Sequence, residues 1–440
     1  MKLNTSATLQ PIQTHEGGRA TRTDHFHELK RSTLTCMLWE DTFYEKGSEI
    51  ADRIAALVPK VEPAQVAALA CEARDRMNLR HVPLFLVAEL SKIKGSGALV
   101  AETLAHVIQR ADELAEFLAI YWRNGRHPLS AGVKRGLARA FPKFNAYRLA
   151  KYDRDSKVKL RDALFLCHAK PKDEEQAGVW EKLVDGTLES PDTWEVELSA
   201  GKGKKETFER LMREGMLGGL AVLRNLRNML QAGVDEDLIR ERLAKGIDRA
   251  FPYRFVVAAK HAPRLEDAIE GAMFRATEQI ESLSGRTGLL VDVSSSMDAP
   301  VSAKSKETSR IDVAAGLAIL LREKAQSVRV ATFSDALVEV PPRRGFALRD
   351  AIHQSQFHSS TRLRAALAEL EKLWPDIDRL IVITDEQSQD GIARPWSPKP
   401  YLINVAPYKN GVSYRNGWNH IDGWSERVFD YIRETESFEN

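Results

Sequence analysis

Leu289-Leu290-Val291-Asp292-Val293-Ser294-Ser295-Ser296-Met297 is an apolar run that ends in Asp-x-Ser-x-Ser. The aliphatic and β-branched residues predict a buried strand, and the turn beyond it can bring Asp292, Ser294 and Ser296 onto one hard cation. A Ser-rich turn could instead merely cap the next helix. Two further stretches weigh toward the metal. Ser359-Ser360-Thr361-Arg362-Leu363 is a polar loop opening an amphipathic helix predicted over 361–373, so Thr361 can offer a hydroxyl at a helix N-terminus. Leu380-Ile381-Val382-Ile383-Thr384-Asp385-Glu386 reads as a second buried strand ending in a carboxylate. Ligands collect at the carboxyl ends of parallel strands. The candidate ligand set is therefore Asp292, Ser294, Ser296, Thr361 and Asp385, and the candidate ion is Mg²⁺, with Mn²⁺ as the alternative.

Strands and helices alternate around these motifs. Strands are predicted over 288–293, 328–333, 380–384 and 401–405, and helices over 307–324, 346–354, 361–373 and 423–436. This alternation predicts a doubly wound parallel sheet. The three motifs in this order resemble the metal-ion-dependent adhesion site of a von Willebrand factor A domain, departing from it at Ser359-Ser360, where that family usually has glycines. From residue 286 onward the chain has 20 Lys and Arg against 21 Asp and Glu, so this part is not a phosphate binder by charge. Trp418, Trp424 and Phe429 read as core.

Upstream the period changes. Val66, Leu69, Ala70, Ala73 and Met77, then Leu79, Val82, Leu86, Leu90 and Ile93, recur at spacings of three and four, so each set buries one helix face. Short breaks such as Val58-Pro59, Gly95-Ser96-Gly97 and His127-Pro128 separate helices of 12 to 16 residues, a pattern of HEAT-like helical repeats. At 440 residues two or three domains are expected. They are an N-terminal arm over 1–22, a helical module over 23–285 bounded by Gly285-Arg286-Thr287-Gly288, and an α/β domain over 286–440.

The net charge of +2 excludes a global field that would draw the chain to nucleic acid. Residues 123–172 depart from it, with 14 Lys and Arg against three acids. Phe141, Phe144, Tyr147, Tyr152, His127 and His168 interleave with these cations, and such rings can stack on bases while the cations hold phosphates. The alternative is a solvated charged face over an aromatic core. Three cysteines, Cys36, Cys71 and Cys167, without CxxC spacing argue against a disulfide framework or a zinc site and for a reducing cytoplasm. No secretory signal and no apolar run long enough to span a bilayer is evident. A soluble, cytoplasmic protein with no membrane partner is expected.

Within the basic segment, Lys151-Tyr152 followed by Leu164-Phe165-Leu166-Cys167-His168-Ala169-Lys170-Pro171 resembles the signature of a TROVE module, the RNA-binding part of the Ro ribonucleoprotein family. Met216-Leu217-Gly218-Gly219-Leu220-Ala221-Val222-Leu223-Arg224-Asn225-Leu226 and Arg249-Ala250-Phe251-Pro252-Tyr253 are similar to two further stretches of that module. The resemblance implies a ring of helical repeats, followed by the adhesion-type domain, that takes single-stranded RNA ends into its hole and a small noncoding Y RNA on its outer basic surface. It implies outer-surface contacts at Lys151 and His168. The full candidate RNA-binding set is Arg135, Arg139, Lys143, Arg148, Lys151, Arg154, Lys157, His168 and Lys170, whereas Arg224 and Asn225 read as packing residues at a helix end.

The expected function is an RNA-binding ribonucleoprotein scaffold, monomeric and not an enzyme, that holds Y-like RNA and the single-stranded 3′ ends of misfolded RNA. By the resemblance, its partners include a 3′ exonuclease or RNA-repair enzymes. The competing expectation is a Mg²⁺-dependent hydrolase acting on RNA through Asp292 and Asp385. Against it, Asp385 and Glu386 are adjacent on a strand end and so point apart, and a hydroxyl-rich ligand set suits binding more than activating water.

Overall fold

Several helices begin where a short polar side chain precedes an apolar stripe. Ser130, Asn145 and Asp173 accept the backbone N–H groups of Val133, Arg148 and Gln176 and so open the helices Ala131–Ala140, Ala146–Tyr152 and Glu174–Asp185. The computed structural model describes residues 12–21, 23–153, 156–247, 252–278, 280–414, 416–425 and 427–437. The candidate RNA-binding residue Arg154 and the turn residues Arg249, Ala250 and Phe251 lie outside them.

The chain divides into two compact units. One comprises His25–Glu40 and Lys46–Arg242, and the other Asp41–Glu45 and Leu243–Asn440 together with the chain up to Asp24. In the first, helices pack through the predicted stripes: Val66, Leu69, Ala70 and Ala73 are buried along Pro63–Asp75. The helix His81–Leu90 differs from the expected one-faced pattern, because every residue from Val82 to Leu90 is buried. It packs against both Pro63–Asp75 and Asp112–Tyr121, and its one acid, Glu89, is paired with Lys92 and Arg123. Helices Gly97–Val107 and Ala131–Ala140 meet at two glycines. A methyl on Gly132 would stand 2.5 Å from the Gly97 carbonyl oxygen, so only glycine permits this approach.

In the second unit six strands, β1 (Leu283–Asp292), β2 (Ala325–Phe333), β3 (Leu337–Val340), β4 (Arg379–Thr384), β5 (Lys399–Asn404) and β6 (Asn419–Asp422), form one sheet. Their order is β3-β2-β1-β4-β5-β6. All neighbours run parallel except β2 and β3, which form an antiparallel edge. Neither β3 nor β6 is expected from the sequence; each has four residues, and the sequence of β6, Asn-His-Ile-Asp, carries no apolar run. Trp418, Trp424 and Phe429 are buried, as expected of core residues.

The expected boundary at 285/286 falls inside β1, which begins at Leu283, and compactness divides the chain earlier, at Arg242/Leu243. The helix Pro252–His261 packs on Arg310–Lys324, where a methyl on Gly316 would lie 2.7 Å from the Tyr253 amide nitrogen. Glu270, on the helix Glu266–Thr277, accepts the Phe346 amide at 2.7 Å. Both helices therefore belong with the sheet. The described residues of the arm are held there too: the Thr14 hydroxyl donates to the Ser388 carbonyl at 2.9 Å and the Thr21 amide to the Gly411 carbonyl at 2.9 Å.

One buried ion pair anchors the last helix, Arg427–Ser437, to the sheet. Arg379, 1% exposed, bonds Glu436, the Thr287 hydroxyl and the Ser284 carbonyl, and Lys399 reaches Glu436 at 2.9 Å. Burial would raise the Glu436 pKa, but hydrogen bonds from Arg379 and Lys399 outweigh it and leave the carboxyl below its usual value. A depressed folded-state pKa contributes stability above the unfolded value of about 4.3 that is lost as pH falls through the folded value. Glu436→Ala strands the Arg379 charge and should cost roughly 3–5 kcal/mol at pH 7. Urea unfolding of both proteins between pH 7 and pH 3 checks this, and the gap between them should narrow toward the acid end.

Candidate functional sites

The metal candidates sit at the carboxyl edge of the sheet because the register puts them there. Asp292 of β1 pairs with Phe333 of β2, and Val291 pairs with Ile383 of β4, so the ends of β1 and β4 stand side by side. Asp292, Ser294, Ser296, Thr361 and Asp385 are all buried. Four of them are joined directly. The Ser294 amide donates to Asp292 Oδ1 at 2.9 Å, the Ser294 and Ser296 hydroxyls lie 3.3 Å apart, and Ser296 Oγ donates to Asp385 Oδ2 at 2.7 Å. The loop that carries Thr361 touches the turn of the cluster two residues earlier, where the Ser295 amide donates to the Ser359 carbonyl at 3.0 Å, while the Thr361 carbonyl accepts the Gln389 amide at 2.9 Å. Ser359 and Ser360 stand in for glycines without opening the loop, since the Ser359 amide and the Ser360 carbonyl both bond the Ser334 hydroxyl.

Sequence reasoning missed three members of this site. Thr384 Oγ1 donates to Asp292 Oδ2 at 2.6 Å. The buried Arg310 places Nη1 4.0 Å from Asp385 Oδ2, and Tyr44 donates its hydroxyl to that same oxygen. Thr384 could have been read from the strand end, and Arg310 from its place one residue after the Ser309 cap of Arg310–Lys324. Nothing local in the sequence points to Tyr44. Burial first, and then the adjacent Asp385 carboxylate, push the Asp292 carboxyl up to about 7. Two buried carboxylates beside serine hydroxyls make an oxygen-only donor set, and such a set fits a hard divalent ion. Among the described residues no group of three His, Cys, Asp or Glu side chains is arranged to hold a metal, so the hydroxyls are essential to that fit. Glu386 turns away, into a cluster where it accepts from Ser413 and lies 3.0 Å from His420 Nε2.

The basic segment lies in the helical unit. Arg135 and Arg139, one turn apart on Ala131–Ala140, are exposed, as are Arg148, Lys157, His168 and Lys170, and none of the six has an ion-pair partner among the described residues. Lys151 is half-buried, 4.0 Å from Glu195. Lys143 is a correction: its ammonium donates to the Ala105 and Ile108 carbonyls at the end of Gly97–Val107, so it satisfies orphan helix-end groups. Burial lowers its pKa. The aromatic expectation also divides. Phe141 and Phe144 are core and cannot stack on a base, and Tyr152 lies under the Arg110 guanidinium at 4.6 Å. Tyr147, 50% exposed, remains accessible, and so does Phe165 at 59%, which the sequence presents only as part of an apolar run. His168 ends the helix Leu160–Cys167 at φ 54°, a left-handed conformation that histidine adopts at a cost. Asn225 is buried and bonds the Ala221 carbonyl, the packing role expected of it.

Residues 171–315 match the TROVE domain family model. Over that stretch the chain is similar to the TROVE family. The matched region begins at the last two residues of the basic segment and runs into the helix Arg310–Lys324. The telomerase protein component 1 of Mus musculus and that of Rattus norvegicus are each 37% identical over 99 residues, 20% of this chain. That stretch spans 4% of the length of either relative. The crystal structure of the Deinococcus radiodurans RO (RSR) protein superimposes with a TM-score of 0.62 at 19% identity, covering 94% of this chain and 100% of that one, so the two share a fold. Among the described residues no helix is long and apolar enough to cross a membrane.

Proposed function

We propose that this protein is a TROVE-type, non-catalytic RNA-binding scaffold of the cytoplasm. It binds a small Y-like noncoding RNA and the single-stranded 3′ ends of misfolded RNA, in quality control, processing or repair. A 3′ exonuclease or an RNA-repair enzyme is the class of partner that would act on RNA so presented. The observation that carries this reading is the set of six exposed cationic or titratable side chains between Arg135 and Lys170 that no acid neutralises among the described residues. A helix surface that needs only solubility has no use for so one-sided a charge, whereas phosphates do. Tyr147, Phe165 and His168 add exposed rings to the same segment, and rings of this kind stack on unpaired bases. Against the hydrolase alternative, Glu386 is engaged by Ser413 and His420, and the cluster's hydroxyls are ligands rather than bases.

In the α/β unit, Asp292, Ser294, Ser296, Thr361 and Asp385 would hold Mg²⁺ or Mn²⁺. The ion would neutralise the two buried carboxylates and add the stability of a ligand bound to the folded state alone.

Filter binding of a single-stranded RNA across a salt series tests the RNA reading. Log affinity should fall linearly with log salt, and Arg139→Glu with Arg148→Glu should flatten the slope by roughly 0.7 for each phosphate that is no longer neutralised. Lys143→Gln should leave the slope unchanged. His168→Asn, which accepts the left-handed backbone, should cost about 1–3 kcal/mol for a structured RNA and little for a bare single strand. Wild-type slope and affinity in the double charge reversal, with the fold intact by circular dichroism, would remove RNA from this segment. The metal reading predicts that Asp292→Ala abolishes Mn²⁺ binding in calorimetry while RNA affinity stays as in wild type.

A further inference from the structure

The carboxylate–hydroxyl cluster has a neighbour from far away in the chain. Residues Asp41–Glu45 belong to the same compact unit as the sheet, although the chain on either side of them belongs to the helical unit. Their hold on the sheet unit is specific. The Asp41 carbonyl accepts the Ala303 amide at 2.8 Å, and the Thr42 amide donates to the Glu45 carbonyl at 2.9 Å, closing a turn that presents Tyr44. The Tyr44 hydroxyl donates to Asp385 Oδ2, the oxygen that also takes the Ser296 hydroxyl. Arg310 backs this hydrogen bond: its guanidinium carbon is 4.6 Å from the Tyr44 ring centroid and 5.8 Å from that of Phe43. Its Nη1 donates to the Ser296 carbonyl at 2.8 Å, and its Nη2 is buried without a hydrogen-bond partner among the described residues. The rings of His15 and Tyr408 close on Tyr44 at 5.0 and 5.4 Å, and the His15 amide is itself fixed to Gln387 Oε1 at 2.8 Å.

This arrangement sets the chain's own groups against an incoming cation. A metal ion would bind Asp385 through a lone pair that the phenol proton already uses. It would also have to enter beside a guanidinium that supplies positive charge 4.0 Å from the same oxygen. We propose that Tyr44, backed by Arg310, is the chain's own occupant of the outward position of this cluster. It closes the site to a divalent cation, and to an acidic side chain from outside, until residues 41–45 lift away. The proposal rests on reading the cluster as a metal site, and it names what competes for the position such a site leaves open.

The test uses the full chain freed of metal by chelation. Calorimetric titration with Mn²⁺ of wild type, Tyr44→Phe and Asp292→Ala is paired with hydrogen–deuterium exchange of the peptide that spans residues 41–45. Tyr44→Phe keeps the ring and removes only the bond to Asp385. It should bind Mn²⁺ about tenfold more tightly than wild type, the scale of one hydrogen bond to a charged group. Its 41–45 peptide should exchange several-fold faster. Equal or weaker Mn²⁺ binding by Tyr44→Phe overturns the proposal. If none of the three proteins binds Mn²⁺, the metal reading falls, and the closure is decided by exchange in the metal-free state. Faster exchange in Tyr44→Phe then upholds it as a clasp on Asp385, and equal exchange overturns it. Should Tyr44→Phe fail to fold, Asp385→Asn weakens the same bond from the other side and is read by the same exchange measurement.

Discussion

Two carboxylates, Asp292 and Asp385, are buried side by side at the ends of adjacent parallel strands, and much of the α/β unit is arranged to make that tolerable. A buried charge is costly unless it is paired or hydrogen-bonded. Here the partners come from every direction: Ser294 and Thr384 on Asp292, and Ser296, Tyr44 and Arg310 on or near Asp385. The parallel register that fixes the spacing of the pair also fixes the loops that supply these donors. Replacing either acid would disturb more than one hydrogen bond, because several donors are themselves bonded to other parts of the unit.

The basic segment of the helical unit carries the opposite problem, with 14 Lys and Arg against three acids over residues 123–172. Some are absorbed by structure, as Lys143 is by two helix-end carbonyls and Lys151 in part by Glu195. The remainder stays exposed, beside rings that the core has not claimed. The contrast is local: the sheet edge gathers two buried acids, and the basic segment displays exposed cations.

Much of this is legible in the sequence where the signal is local. Asp-x-Ser-x-Ser after a buried strand, the Thr384-Asp385 strand end and the helical stripes of residues 66–77 each state their structure within a few residues. What is not legible is what depends on distant partners. Tyr44 lies 341 positions from the carboxylate it bonds, and Thr14 lies 374 from Ser388, so no window of sequence contains both members of either pair. Phe141, Phe144 and Phe165 are the same residue type in the same basic segment, and only packing decides that the first two are core and the third is exposed. The helix Pro252–His261 has an ordinary amphipathic sequence, and the glycine that lets it pack on the sheet unit is Gly316, on another helix.

The central claim, that the basic helical segment is the RNA-binding surface, is tested most directly by ultraviolet crosslinking of the full chain to a uridine-rich single-stranded RNA, with adducts mapped by mass spectrometry. Exposed rings next to unneutralised cations should dominate the adducts, so crosslinks are predicted at Tyr147, Phe165 or His168. Adducts confined to residues 286–440, with none between 123 and 172, would contradict the account.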